Sequence, residues 1–327
     1  MTLYHRRTGD HTDRQLHGLV RDGSLARVRR GTYTDGKLWR SASDADRYRL
    51  AVHAAMTCRA QAVASHDSAA ALLGLPVLAP RRDRVHVTVD GRGGGKTTAA
   101  TVEHRVPLSD VDVTVVDGVR VTTPARTALD LACVRPAVHG LCAVESSLRL
   151  GAEDLPGVLR RMGRRHGIQL ARRAVERASP LTESLGESFS RALMLGWPEI
   201  PEPRLQHEFR DEHGLFVART DFDWDGRLVG EFDGAVKYEG GGLTVVQEKL
   251  REDALRALGV HVVRWTWQDL LHPERLRAIL TKALARAGLP AEFRPASGLP
   301  AEFRPASGLP AEFLPASGLP ADPSRVR

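Results

Sequence analysis

The stretch VARTDFDWDGRLVGEFDGAVKY, residues 217–238, constrains this chain more than any other. Two runs of alternating residues flank Asp225-Gly226, the pattern of two strands joined by a tight turn. A three-residue loop, 225–227, sets Asp221 opposite Glu231 and Trp224 opposite Leu228. The large apolar residues except Val229 then share one sheet face, and Asp221, Asp223, Glu231 and Asp233 share the other. A two-residue loop would mix the two sets, so the apolar pattern selects the first register. Four carboxylates on one face repel one another unless a cation sits among them. Strands rarely choose Asp, which weighs against the competing account, a plain solvent-facing surface. A divalent metal is the economical cation, and oxygen ligands select Mg²⁺ or a similar hard ion such as Mn²⁺.

The rest of the chain surrounds this hairpin with helical and strand patterns, which makes the fold class α/β (α+β). At 327 residues there is room for about two domains of roughly 150 residues each. Residues 12–40 read as a helix that Asp13 can cap, a turn at Asp22-Gly23, and a two-stranded wing with a second turn at Asp35-Gly36. Residues 46–75 read as helical. Strands are expected at 84–90, 101–106 and 111–123, then helices from 124, over 138–150 and over 153–177. A decapeptide beginning GLPAEFRPAS at Gly288 recurs at 298 and 308, and buries too little to fold, so 289–327 reads as a disordered Pro/Gly tail. The expected division is a winged-helix-like segment 1–40, an α+β domain 41–178, a third domain 179–288 and the tail.

Charge narrows the function classes. Net charge is +7, with 42 Arg against 5 Lys. Arginine forks suit phosphate, and a basic globular protein is a nucleic-acid candidate. Arg27, Arg29 and Arg30 on the wing are the candidate DNA contacts, and the arginine-rich helix 160–177 is a second basic surface. No apolar run reaches the roughly 18–20 residues of a membrane span. The first residues lack the apolar core of a secretory leader. Three cysteines, Cys58, Cys133 and Cys142, form no C-x-x-C pair, and a cytoplasmic location is expected. GRGGGKTT, residues 91–98, imitates a phosphate-binding loop, but Asp90 stands where that motif needs Gly and a strand pattern follows, so no nucleotide cofactor is expected. The histidines are scattered, and none sits in a nucleophile motif.

Several segments resemble known families. SLGESFSRALMLGWP (184–198), RTDFDW (219–224), GEFDGAVKY (230–238), EKLREDALRALG (248–259) and VVRWTWQDL (262–270) resemble the PD-(D/E)XK restriction-endonuclease-like fold, and more closely the family related to very-short-patch-repair endonucleases. The resemblance implies a mixed sheet flanked by helices, Asp221 and Glu231 as metal carboxylates, and Glu187 as a supporting acid; Asp233, on the same acid face, is a third candidate metal ligand. The usual Lys two residues after the second acid is Asp233 here, and Lys237 is the replacement the resemblance suggests. Lys249, Asp253 and Arg256 share one face of the next helix and could support the site. LVRDGSLARVRRGTYTDG (19–36), AALLGLP (70–76) and GVRVTTPARTALDLA (118–132) look like the AbiEi antitoxins of type IV abortive-infection systems, which join a winged helix to a second domain and repress their own operon. Two functions follow as expectations. One is a DNA-binding, Mg²⁺-dependent endodeoxyribonuclease; the other is an antitoxin or transcriptional regulator, with a cognate toxin as partner, whose nuclease fold is a non-catalytic scaffold.

Overall fold

The structure is a computed structural model that describes residues 3–5, 12–234 and 243–289, with 243–249 described by their backbone alone. The repeat tail beyond Leu289, Lys237 and the Lys249 side chain lie outside the described residues. The chain divides into two compact units, Met1–Pro180 and Leu181–Arg327. Both mix helices with sheets, in keeping with the α+β class.

Unit one begins with β1 (Leu3–His5), α1 (Asp13–Arg21), β2 (Leu25–Arg29) and β3 (Thr32–Asp35). The strands form an antiparallel sheet in the order β1-β3-β2. Thr12, rather than Asp13, caps α1: its hydroxyl accepts the Gln15 amide while the Gln15 side chain returns to the Thr12 amide. This reciprocal box satisfies two amides that a helix start otherwise leaves unpaired. Asp35-Gly36 is likewise a helix start and not a turn, because the Asp35 carboxylate caps α2 (Gly36–Ser41).

Next come α3 (Asp44–Met56), β4 (Val63–Ala64) and α4 (His66–Leu73), where the sequence pattern suggested one helix over 46–75. The break places Val63 and Ala64 in the centre of a six-stranded sheet, and sheet hydrogen bonding outweighs local helix preference there. That sheet continues with β5 (Val85–Val89), β6 (Lys96–Thr97), β7 (Thr101–Arg105), β8 (Val113–Val116) and β9 (Val119–Thr122), ordered β6-β7-β5-β4-β9-β8. β5 runs parallel to β7, and β4 to β9. Lys96 and Thr97 pair antiparallel with β7, so strand backbone follows the glycine-rich loop. Four helices close the unit: α5 (Pro124–Val134), α6 (Ala137–Arg149), α7 (Leu155–Met162) and α8 (Ile168–Arg177). The expected 153–177 helix is interrupted between Gly163 and Gly167, both at positive φ.

Among the described residues a small apolar cluster of Leu16, Leu25 and Tyr33 lies in the wing, and two larger ones hold the rest of the unit. Tyr48, Val52, Leu72, Val87 and Val121 pack one side of the sheet. Leu129, Leu131, Val144, Val158 and Met162 knit the closing helices. A buried charge network joins the two regions. Arg126 donates to both oxygens of Asp130 (3.0 and 3.1 Å) and to Asp112 (3.4 Å). Arg161 adds a bond to Asp112 (2.7 Å) and Arg165 one to Asp130 (3.4 Å). Of the basic stretch 160–177, Arg165 is thus turned inward and Arg161, itself exposed, reaches in to Asp112, while Arg160, Arg164 and Arg172 stand on the surface and Arg173 and Arg177 are half-buried.

Unit two contains α9 (Leu185–Met194), β10 (Arg204–Arg210), β11 (Phe216–Trp224), β12 (Leu228–Asp233), α10 (Leu243–Ala257), β13 (His261–Thr266), α11 (Trp267–Leu271) and α12 (Pro273–Arg286). Its sheet order is β10-β11-β12-β13, with only the last pair parallel. A parallel pair needs a crossover, and α10 supplies it. Trp265 is buried among Phe222, Trp224 and Gly230, and its indole N–H donates to Ser190 Oγ at 2.7 Å. Gly230 is required by this packing: a Cβ there would lie 2.5 Å from the Trp265 ring.

Candidate functional site

The hairpin adopts the register that the apolar pattern selects. Trp224 pairs with Leu228, Asp223 with Val229 and Phe222 with Gly230, around the loop 225–227. Positive φ at Asp225 (56°) and Gly226 (67°) closes the turn, as tight hairpins demand. Side chains alternate across a strand, so Asp221 and Glu231 face the same side. They line a cleft of ≈ 380 Å³ with Glu187, Asp233, Arg251 and Arg264.

Glu187 sits in the first turn of α9, where Ser184 Oγ accepts its amide at 3.1 Å. Its Oε2 accepts the Glu183 amide (2.8 Å) and Gln206 Nε2 (3.1 Å). The Gln206 amide also favours the charged form of Asp221, so one side chain stands between the two acids. Its backbone is at φ 52°, a left-handed conformation uncommon for a residue other than glycine. Such strain persists only where the surroundings over-determine it.

Asp221 Oδ2 accepts the Phe232 amide at 3.0 Å. Burial pushes the Asp221 carboxyl up to about 6, and the Glu187 charge adds to the rise; the Phe232 amide, Gln206 and Arg251 pull the other way. Glu231 is held differently. Arg251 Nη2 donates to both its oxygens (2.6 and 2.7 Å), and Arg264 Nε lies 3.4 Å from Oε2. Asp223 is wholly buried, and there too the counter-charge is an arginine: Arg204 Nε donates to it at 2.6 Å. Asp223 Oδ1 also accepts the Gly226 amide (3.0 Å), so this acid maintains the turn. The cation that the carboxylate pattern demands is therefore, at Asp223 and Glu231, a guanidinium of the chain itself.

Asp233 stands half-buried at the end of β12 on the cleft wall. Asp221, Glu231 and Asp233 do not bring ligand oxygens within 4.8 Å of one another as a group of three among the described residues. Of the expected supporting trio, the Lys249 side chain lies outside the described residues. Asp253 and Arg256 form an exposed pair (3.6 Å), with Arg256 reaching Glu252 as well, and neither lines the cleft. The face of α10 that meets the cleft is that of Arg251. Sequence reasoning missed Gln206, Arg251 and Arg264. Arg264 lies beside Glu231 through the parallel pairing Glu231↔Arg264, which no local pattern encodes.

On the wing of unit one, Arg27 and Arg30 are exposed, while Arg29 is half-buried. A register shift between Arg27 and Arg29 bends the strand there. Burial, and after it the nearby Arg59 charge, lower the pKa of the Arg29 guanidinium.

The molecule is thus of the mixed α+β class, with a basic wing in one unit and an acid-and-arginine cleft in the other. Residues 62–177 match the family model of the AbiEi antitoxin C-terminal domain, the segment that holds β4 to β9, the Arg126 network and the closing helices. Among solved structures the chain is similar to the RV2827C protein from Mycobacterium tuberculosis, at 16% identity and a TM-score of 0.38, covering 54% of this chain and 72% of that one. No curated protein matches it.

Proposed function

We propose that the protein is an antitoxin-type, DNA-binding regulator of the AbiEi kind, whose partners are DNA and a cognate toxin, and whose second unit is a non-catalytic binding scaffold of restriction-endonuclease-like ancestry. The match of residues 62–177 to the AbiEi antitoxin C-terminal domain carries the reading. The exposed Arg27 and Arg30 beside α1 support a phosphate-facing wing. The arginine clamp on Glu231 supports the scaffold role, because it spends on a guanidinium the oxygens a metal would use. The test is fluorescence anisotropy with duplex DNA from upstream of the protein's own coding sequence, beside scrambled duplex, at several salt concentrations. Preferential binding of the upstream duplex without cleavage in Mg²⁺ is the expected outcome. Equal affinity for both duplexes would remove the repressor reading.

A second reading, a Mg²⁺- or Mn²⁺-dependent endonuclease, is favoured by one observation: Glu187 and Asp221 face each other with their repulsion only partly relieved. A divalent ion bound there, with Glu231 released from Arg251, would polarise phosphate and lower the pKa of a water. Lys237 would then supply the ammonium group beside the scissile phosphate. Single-turnover assays on plasmid and mismatched duplex, with wild type, Asp221→Asn and Lys237→Ala, decide it. Metal-dependent cleavage by wild type alone would replace the scaffold reading.

A further inference from the structure

Three histidines that lie far apart in sequence meet in unit one. His66 opens α4, His86 lies mid-β5 and His104 lies near the end of β7. β5 and β7 are parallel, with His86 opposite Val102 and Thr88 opposite His104. His86 and His104 are therefore diagonal neighbours on one sheet face, within reach of each other's rings. His86 Nδ1 and His104 Nε2 stand 3.1 Å apart. The His66 ring stacks on His104 with centroids 3.9 Å apart. One ring nitrogen from each residue falls within 4.8 Å of the other two.

We propose that His66, His86 and His104 bind a late first-row divalent metal ion, with Zn²⁺ as its representative. Two nitrogens about 2.0–2.1 Å from a tetrahedral ion sit a little over 3 Å apart, close to the His86–His104 separation. Imidazole donors without a carboxylate select zinc-class ions over Mg²⁺ or Ca²⁺. The surroundings hold the ligands as a metal site requires. His66 Nδ1 is 3.0 Å from Ser65 Oγ, the outer-shell partner that fixes which nitrogen is left to coordinate. Ser68 Oγ accepts the His86 amide (2.8 Å), and the Ser65 amide donates to the His86 carbonyl (3.1 Å), which ties the start of α4 to β5. Asp67 is fixed by Arg135 and by the Arg81 amide. His66 is at φ 51°, the kind of backbone strain that collects at functional positions.

His66 is buried, and the other two rings are half-exposed. That arrangement leaves an entry path and a fourth position for water or another donor. Coordination turns the His66 ring out of its stack on His104, so that its lone pair joins the other two. The bound ion pins the start of α4 to β5 and β7. A hydrogen-bonded histidine trio with no metal affinity is the alternative that the experiment must exclude.

Full-length protein, freed of any affinity tag and stripped with chelator, is titrated with Co²⁺ and followed by visible absorption. One equivalent should produce the bands of a nitrogen-ligated, low-coordinate ion, and Zn²⁺ should abolish them. His86→Ala and His104→Ala should each weaken binding by about 100-fold or more, beyond the roughly 10–100-fold typical of losing an outer-shell partner. Asp221→Asn should leave the spectrum intact, which separates this site from the cleft of unit two. Absence of a one-equivalent Co²⁺ or Zn²⁺ complex in the folded wild type overturns the proposal, whatever the variants do. Binding that survives both histidine substitutions overturns it too.

Discussion

Asp221→Asn should stabilise unit two at neutral pH and do nothing in acid. The Asp221 carboxyl rises from 3.8 to about 6 on folding. The folded state therefore holds a proton that the unfolded chain has already lost between those two values. Stability falls as pH rises through that window, and the whole cost is present above about pH 6. A shift of about 2 units, at ~1.4 kcal/mol each, is about 3 kcal/mol. Asp221 is only partly buried, so solvent screening reduces this to about 2 kcal/mol. Asparagine keeps an oxygen for the Phe232 amide but carries no charge to set against Glu187. Urea unfolding followed by tryptophan fluorescence suits the measurement, because four of the five tryptophans (197, 224, 265 and 267) belong to unit two. The variant should be more stable by about 2 kcal/mol near pH 7.5, with the difference gone near pH 4. A difference independent of pH, or a variant less stable at neutral pH, would refute an Asp221 held at a cost by burial and Glu187.

Three further outcomes are expected. Gly230→Ala should cost unit two about 1–3 kcal/mol, the scale of overpacking a core, because its Cβ would press on the buried Trp265 and Trp224 rings; unchanged unfolding would show that the indoles can shift. Arg126→Ala leaves Asp112 and Asp130 buried without their shared partner and should destabilise unit one by about 3–5 kcal/mol, read by circular dichroism. On the wing, Arg27→Ala and Arg30→Ala should each flatten the salt dependence of DNA binding by about one unit of slope; Arg29→Ala should also lower the melting temperature, since that side chain is half-buried, and slopes unchanged from wild type in all three variants would place the DNA elsewhere.

The hairpin of β11 and β12 was readable from residues alone because a strand alternates with period two, so a single register sorts Phe222, Trp224, Leu228 and Phe232 from the acids. The wing strands and the helix at Pro124 were legible for a similar reason: turn residues, caps and periodicity act over a few positions. The failures share a different cause. Val63 and Ala64 leave the helical pattern because they pair with β5 and β9. Which cation answers the acids was also non-local: Arg204, Arg251 and Arg264 reach Asp223 and Glu231 from other strands and from α10. A run of carboxylates shows that positive charge must be near, and Coulomb attraction is met equally by a metal or by guanidinium, so only the tertiary arrangement chooses. The same holds for His66, His86 and His104, which look scattered along the chain. The parallel pairing of β5 with β7, and the bond between Ser65 and the His86 carbonyl, are what bring their rings together.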